Sequence, residues 1–190
     1  MGEGVQVLLI VLGVIAFIGL IIIFWIIGTL NSFRRLVIKV DEAESGIDVA
    51  LTKRFDLLTK MVSATKGYAD HERKTLESVV AMRQPASGAS IGEKQAFANQ
   101  LSEGMARLNV VVEQYPQLRA SENFAKLQSA SMEVEENLQA ARRVYNANVS
   151  YYNQKIVVFP SSIIANWKNF TKRDFFEAEA AKRQDVNFNF

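Results

Sequence analysis

Residues 5–30 read VQVLLIVLGVIAFIGLIIIFWIIGTL, twenty-six positions without one charged side chain. About 20 apolar residues suffice to carry a helix across a bilayer. At roughly 1.5 Å per residue this stretch spans about 39 Å, enough to cross a ~30 Å hydrocarbon core with some tilt to spare. Gln6 is its one strongly polar side chain and sits at the edge, and Trp25 lies near the C-terminal end, where interfacial aromatics collect. A soluble core helix does not fit, because no other part of the chain is apolar enough to bury such a helix on all sides. Nor does a cleaved signal peptide: the leading MGEG carries Glu3 and no base, the apolar run far exceeds the usual stretch of about 7–15 residues, and no small-x-small site follows. Gly2 invites a myristoylation reading, but the motif wants Ser or Thr where this chain has Gln6.

Arg34, Arg35 and Lys39, then Lys53 and Arg54, follow the span, and no base precedes it. The positive-inside rule therefore predicts a single-pass protein of the cell inner (cytoplasmic) membrane, with the first four residues outside and residues 31–190 in the cytoplasm. The lipid bilayer is thus the first expected partner. Net charge is only +2, from 22 Lys and Arg against 20 Asp and Glu, and along the chain the charges after the span alternate in patches. That pattern suits a solvated helical surface and not a nucleic-acid groove, which concentrates basic charge on one face. With no cysteine, disulfides, thiol nucleophiles and thiolate metal sites are excluded, and a reducing compartment fits.

Prolines occur only at 85, 116 and 160, and they divide the remainder into four segments that each read as helix. From Leu36 the apolar residues fall at Val40, Ala43, Ile47, Leu51, Phe55, Leu58 and Met61/Val62, and onward through Ala69 and Leu76 to Val79/Val80. Steps of three and four over more than forty residues predict one long helix to residue 83, carried past Gly46 and Gly67. Residues 84–92 (QPASGASIG) make a turn, and a second helix over 93–114 ends where Tyr115 precedes a proline. A third covers 121–158, its stripe running from Phe124 through Leu138, Tyr145 and Tyr152 to Phe159, with Asn148 at a position where a buried amide can fix register. The weaker fourth covers 161–183, broken near Asn169, with Thr171 and Asp174 spaced as a cap for its second half. The expected fold is all-α: an N-terminal transmembrane helix (1–30), a long-helix antiparallel up-and-down four-helix bundle in the cytoplasm (31–183) and a tail (184–190).

Catalytic patterns are absent. His71 is the only histidine, and Asp70-His71-Glu72 lacks the second histidine four residues on that a zinc-protease helix needs. No phosphate-cradling glycine loop or nucleophile elbow occurs, and one histidine cannot build a di-iron bundle. The expectation is no enzyme, no metal and no cofactor. Two aromatic clusters remain. Tyr145, Tyr151 and Tyr152 among Asn146, Asn148 and Asn153 read as core tyrosines whose hydroxyls reach nearby amides, with a ligand cage as the alternative. Trp167, Phe170, Phe175 and Phe176, interleaved with Lys168, Lys172 and Arg173, form either the closing helix or a docking surface for membrane or a partner.

Ile47-Asp48-Val49 with Lys53-Arg54 and Asp56-Leu57, then Lys66-Gly67-Tyr68-Ala69-Asp70-His71-Glu72, resembles the first helix of the LemA family of bacterial membrane proteins. Glu113-x-Tyr115-Pro116-x-Leu118, Asn123-Phe124, Ala141-Arg142-Arg143-x-Tyr145-Asn146, Tyr152-Asn153, Phe159-Pro160 and Phe176-Glu177 extend the resemblance over most of residues 40–177. Thr59 stands where the family often has a proline, which favours a straight helix, and Asp185-Val186-Asn187-Phe188 departs from the family's terminal motif. The resemblance implies an anchored helical bundle with its N-terminus outside, a link to the bacterial cell envelope, and no established activity. Some members are encoded beside a membrane zinc metalloprotease, which makes a membrane protease an implied partner.

Two functions of different class follow. One is a homo-oligomeric scaffold. A helix over 32–83 would reach about 78 Å while 93–114 returns only about 33 Å, so Leu36, Val40, Ala43, Ile47 and Leu51 would lie bare and pair with a second copy. Gly13, Ala16 and Gly19, three apart in the span, would let helices approach in lipid. The other is an adaptor for an envelope stress or quality-control enzyme, docking through Trp167, Phe170, Phe175 and Phe176.

Overall fold

The computed structural model describes residues 2–65, 81–86 and 88–177, and every element among them is helical. The elements are α1 (Glu3–Thr65), α2 (Ile91–Gln114), the single turn α3 (Pro116–Arg119), α4 (Glu122–Val157) and α5 (Ser161–Trp167). His71, the stripe positions between Ala69 and Val80, and the tail all lie outside the described residues. The backbone contacts divide the chain into two compact units: Met1–Val40 with Asn148–Arg173, and Asp41–Ala147 with Asp174–Phe190.

Sequence chemistry accounts for the helix ends. Ser90 accepts from the Glu93 N–H while Glu93 accepts from the Ser90 N–H, a reciprocal capping box that starts α2 two residues before the expected position. These bonds to Ser90 hold the Glu93 carboxyl below its ordinary pKa. Pro116 stands at the first position of α3, where its missing N–H costs nothing. α5 ends where Asn169 takes the left-handed conformation (φ 55°), with Phe170 N–H bonded to Ala165 C=O at 2.9 Å and Asn169 N–H to Asn166 C=O at 3.3 Å. This is the Schellman pattern, for which asparagine is the common substitute for glycine, and it confirms the break expected near Asn169. Helix does not resume over 170–177, so Thr171 and Asp174 cap nothing. α1 runs through Thr59 without a break, the hydroxyl of that threonine bonded to Phe55 C=O.

In the first unit, α4 runs antiparallel to α1. Lys155 hydrogen-bonds Ser32, and Asn148 donates to the Lys39 carbonyl at 3.1 Å. Phe33 is fully buried between them, edge-on to Tyr152 (centroids 6.4 Å) and stacked on Phe170 (4.7 Å). Ile164 and Ala165 are buried on the inner face of α5.

In the second unit, α4 again runs antiparallel to α1: a side chain at Gly46 would meet Ala141 at 4.0 Å, and Arg54 pairs with Glu135. α2, by contrast, lies parallel to α1. Lys94 reaches Glu44 and Asp48, Phe55 packs on Phe97, and Arg54 reaches Ala98 and Ser102. This corrects the expected return of 93–114 against the first helix; the continuation of that helix expected over 66–80 lies outside the described residues. Beside these contacts the Gln84 side-chain amide donates to the Thr52 hydroxyl.

The exposed seam expected along α1 is also corrected. Val40, Ile47 and Leu51 are buried within their own chain, and Leu36 and Ala43 are half-buried. Residues 93–114 are not the only cover for α1. α4, 36 residues and about 54 Å long, comes back along α1 and supplies the missing cover. Replacing Ile47 with Asp should therefore place a carboxylate in the core of the second unit, at a cost of several kcal/mol. The expected result is loss of cooperative thermal unfolding by circular dichroism in detergent; full helicity with only a smaller particle size would restore the seam.

Candidate functional site

α1 begins as an apolar cylinder. Among the described residues it is the one helix long and apolar enough to cross a membrane, and none of its most apolar window is buried. Residues from Val5 to Ile27 present Val, Leu, Ile and Phe on every face, a surface that water does not tolerate and lipid does. Arg34, Arg35 and Lys39 follow within three turns, all exposed.

The fold adds to this collar from far along the chain. Lys155, Lys168, Lys172 and Arg173 belong to the same unit, so beyond the span that unit carries seven basic side chains and no acidic one. Charges that alternate in patches along the chain are thus sorted by sign in this unit. An acid-free run from residue 137 to 173 was visible in the sequence, but without the fold nothing joined it to residues 34–39. On α5, Ile163 and Trp167 are exposed on the face opposite Ile164 and Ala165, and Lys168 Nζ lies 4.2 Å from the Trp167 ring centre.

The tyrosine and asparagine cluster resolves into clamps on the segment after α5. In the first unit, Asn153 donates to the Arg173 carbonyl and accepts from the Arg173 N–H, both at 2.9 Å. In the second, Asn146 does the same to Phe176 at 2.9 and 2.8 Å, and the Tyr145 hydroxyl donates to the Asp174 carbonyl at 2.9 Å. Each amide side chain thus satisfies both polar groups of one extended residue, as a neighbouring β-strand would. Phe176 is buried with the Arg142 guanidinium 4.5 Å from its ring centre. Tyr145 and Tyr152 are the core tyrosines expected, while Tyr151 is exposed, and the three do not assemble into a cage.

The expected docking surface of Trp167, Phe170, Phe175 and Phe176 is accordingly broken up. Phe170 is held against Phe33 in the first unit and Phe176 under Arg142 in the second, leaving Trp167 and Phe175 exposed. A continuous helix over these positions would have placed them on shared faces. The amide clamps hold the segment in a non-helical course instead.

Buried charge in the second unit is paired. The Arg54 guanidinium reaches Ala98 C=O (3.2 Å), Ser102 Oγ (3.1 Å) and Glu135 (2.8 Å), and Lys94 Nζ reaches Glu44 (2.7 Å) and Asp48 (2.8 Å). A small cavity beside Lys94 is lined by Asp48, Leu51, Gln84, Pro85, Ala86 and Phe97, and it brings no nucleophile and base together. Among the described residues no three of His, Cys, Asp and Glu converge as metal ligands.

A lipid-exposed helix continuing into a packed core, with a basic collar where the two meet, defines a membrane-associated all-α protein. The LemA family model matches residues 43–190, and the chain belongs to that family. It is 27% identical over 186 residues to Protein LemA of Metamycoplasma hominis, covering 97% of this chain and 84% of that protein. It is also 26% identical over 202 residues to Magnetosome protein MamQ 2 of Paramagnetospirillum magneticum, covering 90% and 71%. Magnetosome protein MamQ of Magnetospirillum gryphiswaldense shares 24% over 211 residues, covering 95% and 76%.

Two outcomes follow from these contacts. Asn146→Ala removes the partner of both the N–H and the C=O of Phe176, and should cost about 1–3 kcal/mol. Amide exchange at Phe176 should accelerate and proteolysis should reach the segment, while α4 stays helical. For Lys94, burial alone would lower the pKa, but hydrogen bonds to Asp48 and Glu44 and their negative charge outweigh it, so the value is raised. A raised pKa contributes stability that is complete below the ordinary lysine value of about 10.4 and is lost as pH rises through the folded-state value. Denaturant midpoints should fall along that alkaline limb in the wild type and lose that component in Lys94→Met.

Proposed function

We propose that this protein is a non-enzymatic, single-pass scaffold of the bacterial inner membrane, with α1 crossing the bilayer and a bundle displayed in the cytoplasm. The observation that carries the reading is the continuity of α1: one 63-residue helix is fully lipid-compatible at its start and contributes core positions to both packed units thereafter. A helix of that kind transmits position from one end of the protein to the other. The collar supports the orientation, since Lys155, Lys168, Lys172 and Arg173 add to Arg34, Arg35 and Lys39 on the same side of the span. The architecture belonging to this reading is an up-and-down bundle built around the antiparallel pair α1 and α4.

As a scaffold the protein would associate with further copies of itself. With Val40, Ile47 and Leu51 occupied within the chain, the span offers the contact: side chains built at Gly13 and Gly19 would meet nothing within 4 Å, so a second helix has room to approach there. Similarity to proteins named for the magnetosome, and not for a reaction, agrees with a structural role. The adaptor alternative, with a membrane protease as partner, retains only Trp167 and Phe175, which belong to different units.

The test is topological and hydrodynamic. A fluorescent reporter fused after Phe190 should glow in cells and a phosphatase that works only outside the cytoplasm should stay inactive there; the reverse pattern overturns the orientation. In mild detergent the protein should run as several copies, and Gly13→Leu with Gly19→Leu should reduce that number. A wild-type monomer would remove the self-assembling part of the proposal.

A further inference from the structure

The first unit carries a second apolar surface that the span does not account for. At the corner joining α4 to α5, Val157, Val158 and Phe159 are 57%, 55% and 76% exposed, and on α5 Ile163 and Trp167 are 56% and 60% exposed. Five large apolar side chains left bare within eleven residues form a patch of the kind that soluble surfaces avoid. It is not a fraying end. Phe170 stacks on Phe33 just beyond it, Ser161 Oγ donates to the Lys155 and Val158 carbonyls, and Ile164 and Ala165 are buried beneath it.

Its place along α1 identifies what covers it. Lys155 bonds Ser32, two residues past the end of the span, and Lys39 faces Asn148. α4 is antiparallel to α1 in this unit, so each residue beyond Lys155 stands about one residue further back along α1, and Val157 to Phe159 come level with residues near 28–30. The corner therefore reaches the depth at which the lipid-facing surface of α1 begins. The charge around it fits a bilayer surface: seven basic side chains and no acidic one in this unit beyond the span, with Lys168 over Trp167, a cation and an indole at the level where both favour the headgroups.

We propose that Val157, Val158, Phe159, Ile163 and Trp167 insert into the interface of the bilayer that α1 crosses, making the α4–α5 corner a second, monotopic contact with anionic phospholipid. The ring of Phe159 and the exposed face of α5 lie among the headgroups and upper acyl chains. Arg34, Arg35, Lys155 and Lys168 lie against lipid phosphates. The inference rests on α1 being membrane-spanning, and the experiment separates the two.

Because the chain has no cysteine, single cysteines can carry a nitroxide at chosen places in the full-length protein, reconstituted in vesicles of phosphatidylcholine with phosphatidylglycerol. Labels at Phe17→Cys in the span, Ile163→Cys and Val158→Cys at the corner, and Met132→Cys on α4, about 37 Å along the helix from Val157, would be compared for collision with oxygen and with a water-soluble nickel complex. The corner labels should resemble the span label, with an oxygen-to-nickel collision ratio several-fold above that at Met132. Corner labels open to nickel, with the span label still in lipid, would overturn the corner contact and leave the anchor standing. Corner labels shielded from both reagents and broadened by spin–spin coupling would show a second copy covering the patch, which also overturns it. A span label open to nickel would overturn the anchor and this proposal together.

Discussion

Everything in this chain answers to a helix that must satisfy two solvents. From Val5 to Ile27 α1 is apolar on all faces, and past its first turn its backbone polar groups are bonded within the helix, the condition for residence in hydrocarbon. From Phe33 onward only one face is buried and the rest is wet. No break separates the two regimes, so the register of the lipid-facing part sets that of the core-facing part. Phe33, Val40, Ile47, Leu51 and Leu58, spaced by seven or four, are the positions at which that register is read by the rest of the fold.

α4 is the main reader. In each unit it runs against α1, and in each it uses asparagine to bind backbone rather than side chain. Asn148 donates to a carbonyl of α1 itself, while Asn146 and Asn153 hold one residue each of the segment that follows α5. Asparagine is a poor helix former, roughly 0.5 kcal/mol worse than alanine in a helix interior. An amide that completes two backbone hydrogen bonds offsets that loss several times over. The buried cations follow the same logic: Arg54 places its guanidinium on a carbonyl, a hydroxyl and a carboxylate, and Lys94 donates to both Glu44 and Asp48.

Helix identity was largely legible from the sequence because it depends on local chemistry. Ser90 with Glu93, Tyr115 before Pro116, and Asn169 each state an end in the residues that make it, and α2 and α4 begin and end within two residues of their expected limits. What the helices do with one another was not legible, since an apolar stripe reports that it is covered and not by what. The nearest helix in sequence is too short to cover the positions from Leu36 to Leu51, and α4 covers them from about a hundred residues away. The absence of helix over 170–177 is hidden in the sequence for another reason. The aromatic spacing there suits a helix, and the competing partners are side-chain amides whose spacing of seven along α4 carries no signal about where the acceptor backbone lies.

Charge shows the same limit in its plainest form. A net +2 spread over 190 residues reads as near neutrality, and neutrality argues for no particular partner. Folding separates it. The unit containing the span has seven basic side chains against Glu3, and the other has fifteen basic against nineteen acidic. A surface potential acts over about a Debye length, roughly 8 Å at physiological salt, so it is the local sum and not the total that an anionic leaflet meets. Two stretches that are each modestly basic, residues 34–39 and 155–173, fall in one unit because α4 carries the second back along the first, Lys155 bonding Ser32 and Asn148 the Lys39 carbonyl. The same return places the bare apolar corner next to the span. Charge and apolarity converge at one end of one unit, and a headgroup region is the medium in which both are stabilised at once.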